Sequence, residues 1–325
     1  MSDSKQGYRS LFWPFLLVGV GVIWLLSNLG FIPSANLWAL LRLWPLILIV
    51  MGLDILFGRR SPLIGAFIGF VAIAGIIFLL VAGPALGWVK SQGINTQTFS
   101  EPIEDVEEAI LVLDLSSETT NVFALEDSEN LIDSEFTLFG EMDFRVSGLR
   151  EKTISIGSNH YEQWFPVYSS RDSLNWDIGL SNEVPWDISV DASSGKTDLN
   201  LRGILLDILR IDASSGRLNL ILPESDQEYT VEIESSSGRI DVELPEETNL
   251  TIYLDGSSGL QSFDLPSSEV GIRVKVEDDG SGSVKLPGTE QMNGTGSWES
   301  DNYDDAEFQI DFIIEDVSSG NIVIE

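Results

Sequence analysis

The chain has no cysteine and a single histidine in 325 residues. The first absence excludes disulfide staples, thiolate nucleophiles and cysteine-based metal sites. The second excludes a His-rich metal centre, and any Ser-His-Asp triad would have to use His160. His160 lies in Asn159-His160-Tyr161-Glu162-Gln163-Trp164 with no nucleophile-elbow pattern anywhere, and it reads as a loop residue. No glycine-rich loop of the phosphate-cradling kind follows a strand and opens a helix, so nucleotide binding has no support. Basic residues are scarce as well, 18 Lys/Arg against 51 Asp/Glu, for a net charge of −33.

That deficit is not shared evenly. Residues 1–100 hold six Lys/Arg and two Asp/Glu, net +4, and the remainder holds 12 and 49, net −37. So acidic a surface disfavours nucleic acid and anionic headgroups as partners and favours cations, cationic peptides or simple solvation. The absence of cysteine fits an exported bacterial domain.

The basic part is mostly apolar. Three runs, 11–32, 37–57 and 63–88, are each long enough to cross a bilayer core, which takes about 20 helical residues. Trp13, Trp24, Trp38, Trp44 and Trp88 include several near run ends, where interfacial anchors belong. A signal peptide is the competing reading of the first run, but the run is long and no small-x-small site ends it. Lys5 and Arg9 before the first run and Arg59-Arg60 between the second and third fall on one side, expected to be cytoplasmic. Arg42 and Asp54 lie near the ends of the second run and read as anchors.

From residue 188 to 287 the chain repeats about every 21 residues. Small-small-Gly triplets end at Gly195, Gly216, Gly238 and Gly259, and Gly280 keeps the register behind two aspartates. Proline follows seven residues later at Pro223, Pro245, Pro266 and Pro287. Apolar residues alternate on both sides of each glycine, as in Val231 and Ile233 before Gly238 and Ile240, Val242 and Leu244 after it. Period-two alternation predicts a strand, a tight corner, a second strand and a proline turn in every unit. The unit before Gly280 is out of phase by one step, which predicts a bulge or an extra corner residue. Weaker copies flank the array at Ser116-Ser117-Glu118 and Ser318-Ser319-Gly320, expected as terminal coils.

The expected fold is thus an N-terminal α-helical transmembrane region of three helices followed by an all-β repeat domain. The repeat domain would be a β-solenoid or a stacked β-sandwich, although an antiparallel meander would give a similar pattern. The boundaries read 1–9 for a cytoplasmic N-terminus, 10–89 for the membrane region, 90–108 for a linker and 109–325 for the acidic repeats.

Candidate sites are few, and neither a catalytic residue nor a cofactor site is expected. Four residues before each glycine stands an acid: Asp191, Asp212, Glu234 and Asp255, with Asp114 and Asp316 in the outlying copies. Lys196, Arg217 and Arg239 follow the glycines and are expected to pair with these acids across the corner. Asp278 and Asp279 form a weak calcium-loop candidate. Tyr161, Trp164, Phe165, Tyr168, Trp176 and Trp186 read as an aromatic plug at one end of the stack, or as a glycan or peptide platform.

Phe12-Trp13-Pro14, Leu43-Trp44-Pro45-Leu46 and Gly52-Leu53-Asp54 resemble the membrane region shared by LiaF-type cell-envelope stress proteins. Leu180 to Pro223, with Val184-Pro185-Trp186-Asp187 and Leu201-Arg202-Gly203-Ile204, resembles the toast-rack domain, and the later repeats resemble the putative-adhesin β-repeat family. The resemblance implies a non-enzymatic membrane protein that regulates a membrane histidine kinase. The expected role is a sensor, scaffold or modulator of envelope stress in the cell membrane, with the β-domain outside. The alternative is a surface adhesion or structural module capable of self-association.

Overall fold

A computed structural model describes residues 12–29, 44–53, 55, 62–82, 94–139, 141–158, 174–266, 269–278, 280–289, 291–292 and 294–325. The chain divides into two units, residues 1–93 and 94–325.

The first unit contains helices α1 (Phe12–Asn28), α2 (Trp44–Leu53) and α3 (Pro62–Ala82). Proline stands in the opening turn of each, at Pro14, Pro45 and Pro62, where its missing N–H costs no helical hydrogen bond. Gly19 lets α1 approach α3 closely, since a Cβ there would lie 2.4 Å from Ile73 Cδ1. α1 and α2 lie inside the first two expected runs, and α3 overlaps the third but starts one residue before it, at Pro62. Apart from Leu29 and Ile55, the remainder of those runs, with Arg42 and Asp54, lies outside the described residues. Among the described residues no helix is long and apolar enough to cross a membrane. The backbone of α3 is helical over 21 residues, but its side chains are described only from 67 to 78.

The second unit is all-β. Its first seven strands are β1 (Ile94–Pro102), β2 (Glu108–Leu115), β3 (Thr119–Ala124), β4 (Asn130–Phe139), β5 (Met142–Ser147), β6 (Glu151–Ser158) and β7 (Asn175–Leu180). The repeats supply β8 (Trp186–Ala192), β9 (Lys196–Asn200), β10 (Leu206–Ala213), β11 (Arg217–Ile221), β12 (Tyr229–Ser235), β13 (Arg239–Glu243), β14 (Leu250–Gly256) and β15 (Leu260–Asp264). The last six are β16 (Gly271–Val276), β17 (Ser283–Lys285), β18 (Gln291–Met292), β19 (Gly296–Glu299), β20 (Gln309–Val317) and β21 (Asn321–Ile324).

One sheet runs β1-β4-β7-β3-β9-β11-β13-β15-β21-β17-β18 and the other β19-β16-β20-β14-β12-β10-β8-β2-β6-β5. Each repeat gives one strand to each sheet, and successive repeats pair in parallel, as β8 with β10 and β9 with β11. Parallel pairing decides for stacked coils over an antiparallel meander, because hairpin-joined strands would pair with each other. Among the described residues the antiparallel pairs are β1–β4, β4–β7, β5–β6, β16–β19 and β17–β18, all toward the ends of the sheets.

The core lies between the sheets. Val190, Ile211, Ile233 and Leu254 of one sheet and Leu220, Val242 and Phe263 of the other are essentially inaccessible to solvent. These are the positions assigned inward by the alternation in sequence.

Three expectations change. The stretch 90–108, expected as a linker, carries β1, which pairs along β4 from Ile94 to Pro102. The closing aromatics include residues not expected there, Phe99, Phe136 and Phe144. Trp176 and Trp186 are fully buried, and Tyr161, Trp164, Phe165 and Tyr168 lie outside the described residues. At this end of the stack Phe99 stacks on Phe144 at 4.7 Å, and Phe136 meets Trp176 edge-on at 5.4 Å. Phe99 on β1 and Phe144 on β5 thereby join the outermost strands of the two sheets.

The third change is at the C-terminus. The Ser318-Ser319-Gly320 copy was expected to be terminal, but its coil, β20–β21, lies inside the stack. It fills the place between β14–β15 and β16–β17, so that the last coil in sequence is the penultimate coil in space. The copy at Ser116-Ser117-Glu118 is likewise interior, flanked by β6 and β7.

Candidate functional site: the serine-glycine edge

The corners align into one edge of the stack. Gly195, Gly216, Gly238 and Gly259 have φ of 127°, 129°, 145° and 142°, a region that excludes most side chains. Space forbids a side chain as well. A Cβ on Gly238 would lie 2.8 Å from Gly216 O, and one on Gly259 would lie 2.8 Å from Gly238 O. Glycine is thus required twice over, by its φ and by the neighbouring coil.

Serine is explained by a second ladder. The second serine of each triplet donates its hydroxyl to a carbonyl one coil away. Ser194 bonds Ser116 O at 3.0 Å, Ser215 bonds Ser193 O at 3.0 Å, Ser237 bonds Ser214 O at 3.1 Å and Ser258 bonds Ser236 O at 2.9 Å. Ser319 to Ser257 O at 3.2 Å and Ser281 to Ser318 O at 2.7 Å continue the series. Each of these carbonyls also accepts the same serine's backbone N–H, between 2.7 and 2.9 Å.

The ladder relocates one corner. In the β16–β17 coil the stacked glycine is Gly282, whose added Cβ would lie 2.7 Å from Gly320 O, and Ser283 N–H bonds that oxygen at 3.1 Å. Gly280, expected as the corner, takes the place of the first serine, with φ of 51° over Ser318. Between Val276 and Ser283 stand six residues, against five between Leu254 and Leu260. One extra corner residue therefore accounts for the phase break.

Two rows of charge flank the edge. On one sheet Asp114, Asp191, Asp212, Glu234, Asp255 and Asp316 stand side by side on adjacent parallel strands. Burial, then repulsion from Asp212 and Asp114, raises the pKa of Asp191. On the other sheet Lys196, Arg217 and Arg239 are adjacent in register. The expected pairing across the corner does not form. Lys196 pairs with Asp198 and Arg239 with Asp241, each two residues along its own strand. Among the described residues, no ion pair involves the six acids.

The calcium-loop candidate closes on itself in its described part. The Asp278 carboxylate accepts Gly280 N–H at 3.0 Å, an Asx turn, and Asp278 O accepts Val317 N–H at 3.2 Å. Asp279 lies outside the described residues, as does His160.

Sequence reading missed another acidic group. Glu108, Asp187 and Asp207, from three neighbouring strands, bring carboxylate oxygens within 4.8 Å of one another. Burial raises the pKa of Glu108 and of Asp187; repulsion from Asp187 is next for Glu108, and repulsion from Asp207 for Asp187. Only the parallel stacking brings these three together, so their spacing in sequence carries no signal.

Geometry therefore defines a stack of coils with a hydrogen-bonded serine-glycine edge and an acidic outer row. Residues 90–244 match the family model for the N-terminal domain of toast_rack, DUF2154. Residues 11–56 match the LiaI-LiaF-like transmembrane region. The chain is thus similar to the LiaI-LiaF-like transmembrane region over 11–56 and to the toast_rack N-terminal domain over 90–244.

Among solved structures, a putative cell adhesion protein from Clostridium sporogenes ATCC 15579 is 18% identical with a TM-score of 0.47, over 71% of this chain and 99% of its own. A putative adhesin from Bacteroides fragilis NCTC 9343 is 9% identical with a TM-score of 0.27, over 72% and 98%. One from Parabacteroides distasonis ATCC 8503 is 10% identical with a TM-score of 0.20, over 72% and 98%. No curated protein matches the chain.

Proposed function

We propose that the protein is a multi-pass membrane protein that presents the acidic stack of coils outside the cell. There it serves as a non-enzymatic sensor, scaffold or modulator of the envelope stress response. The observation that carries this reading is the presence of both family matches in one chain. One helix overlaps each of the three apolar runs, and Lys5, Arg9 and Arg59-Arg60 favour a cytoplasmic N-terminus and an odd number of crossings. The partner in this reading is a membrane histidine kinase, contacted through the membrane region, the β-unit or both.

Two experiments test it. Protease added to intact spheroplasts should remove residues beyond 94, and full protection of them would end the topological part. Cross-linking and affinity capture of the intact protein from membranes should recover a histidine kinase. Recovery of nothing but further copies of this chain would favour a structural or adhesive module instead.

A further inference from the structure

We propose that residues 269–325 form one cooperative cap that opens from the rest of the stack as a unit. This goes beyond the membrane role above and does not depend on it.

The reason is topological. In a stack of coils each coil touches only its neighbours, so stability is local and ends open first. Here β16–β17, next in the chain after β15, pairs with neither β14 nor β15. It pairs with β20 and β21, which in turn pair with β14 and β15. The β16–β17 coil therefore has a place in the stack only through the C-terminal coil.

Contacts inside the cap bind the two coils to each other. The Tyr303 hydroxyl donates to Asp311 Oδ1 at 2.7 Å, and Arg273 Nη2 donates to Asp311 Oδ2 at 2.5 Å. The Arg273 guanidinium also lies 4.7 Å from the Tyr303 ring centre. Gln309 Nε2 donates to Tyr303 O at 2.9 Å. Tyr303 and Gln309 belong to the C-terminal part of the cap and Arg273 to β16, so the clamp spans the whole piece.

The joint to the body is paired along both strands but fits less closely at its corner. The pairing of β14 with β20 slips between Leu254 and Asp255, leaving Glu315 as the extra residue. A Cβ on Gly320 would lie 3.3 Å from Gly259 O, whereas at the four preceding corners the corresponding distance is 2.6–2.8 Å. Inside the cap the same approach, Gly282 to Gly320 O, is again 2.7 Å. Across the joint Phe312 meets Phe263 edge-on at 5.2 Å. Opening there bares the edges of β14 and β15, two parallel strands of a kind that template further strand pairing.

Hydrogen exchange of the full-length protein in detergent micelles tests this. Amides of β16, β17, β20 and β21 should share one opening event, joined by the edge-facing amides of β14 and β15. Phe312→Ala should speed that event by about tenfold or more, leaving β9 to β13 at their wild-type rates. Ser319→Ala removes only the corner hydroxyl bond to Ser257 O, and should give the same pattern at lower amplitude should Phe312→Ala fail to fold. Equal acceleration throughout β8 to β21, or exchange of β16–β17 ahead of β20–β21, would overturn the proposal.

Discussion

The Ser215 hydroxyl donates to Ser193 O at 3.0 Å, onto the same oxygen that takes the Ser215 backbone N–H at 2.8 Å. The second hydrogen bond uses a lone pair that a backbone ladder alone would leave to water. It explains serine, rather than alanine, at this position of the triplet. Ser215→Ala should lower the stability of residues 94–325 by about 0.5–1.5 kcal/mol in urea titration, toward the lower end because the rung is exposed. A variant as stable as the parent would mean that water replaces the rung without loss.

Gly238 should be far less tolerant. Valine there meets both an unfavourable backbone region, costing about 1–3 kcal/mol, and the Gly216 carbonyl. Arg239→Ala, next in sequence, removes an exposed pair with Asp241 and should leave the melting temperature almost unchanged. Similar losses in both variants would show that the corner geometry is not the constraint.

Lys152 is buried on β6, with Nζ 2.6 Å from a Glu101 carboxylate oxygen and 3.1 Å from Pro102 O. It ties β1 to the opposite sheet. Lys152→Met leaves Glu101 without its cation in a half-buried site and should destabilise the unit by about 1–3 kcal/mol. The double variant with Glu101→Gln should recover part of that loss, which a double-mutant cycle measures.

Acidification should stabilise the β-unit before it harms it. Folding raises the pKa of Asp191, Asp187 and Glu108, so the folded state binds protons more tightly than the unfolded chain. In the range just above the ordinary carboxylate pKa, stability then rises as pH falls. As pH rises through the folded-state pKa of each group, that contribution is lost. The melting temperature should therefore increase from pH 7 toward pH 5, and Asp191→Asn should flatten the increase. A steady decrease over that interval would contradict the repulsive acidic row.

Calcium should bind weakly. The Asp278 carboxylate is engaged by Gly280 N–H, and the six row acids project singly from successive strands. Isothermal titration of residues 94–325 should give affinities no tighter than the ~10⁻⁴–10⁻³ M of extracellular modules. A stoichiometric micromolar site lost in Asp278→Ala would reinstate the calcium loop and favour adhesion.

The sequence by itself determined the local unit. Period-two alternation put Ile233 and Val242 inside, the small-small-Gly triplets marked the corners, and the apolar runs located the helices. Each of these is a local rule, set by side-chain period, glycine φ and chain solvation, and legible in about 20 residues. The tertiary structure decided what sits next to what. Nothing in the spacing of Gly259, Gly280 and Gly320 says that Gly320 stacks on Gly259, because parallel coils of equal length are interchangeable in sequence. The choice falls to long-range fit, with the extra residue in the β16–β17 corner, Phe312 against Phe263, and the Tyr303–Asp311–Arg273 clamp. The same holds for Glu108, Asp187 and Asp207, and for Phe99 on Phe144. Residues far apart in the chain meet only when the two sheets close on each other.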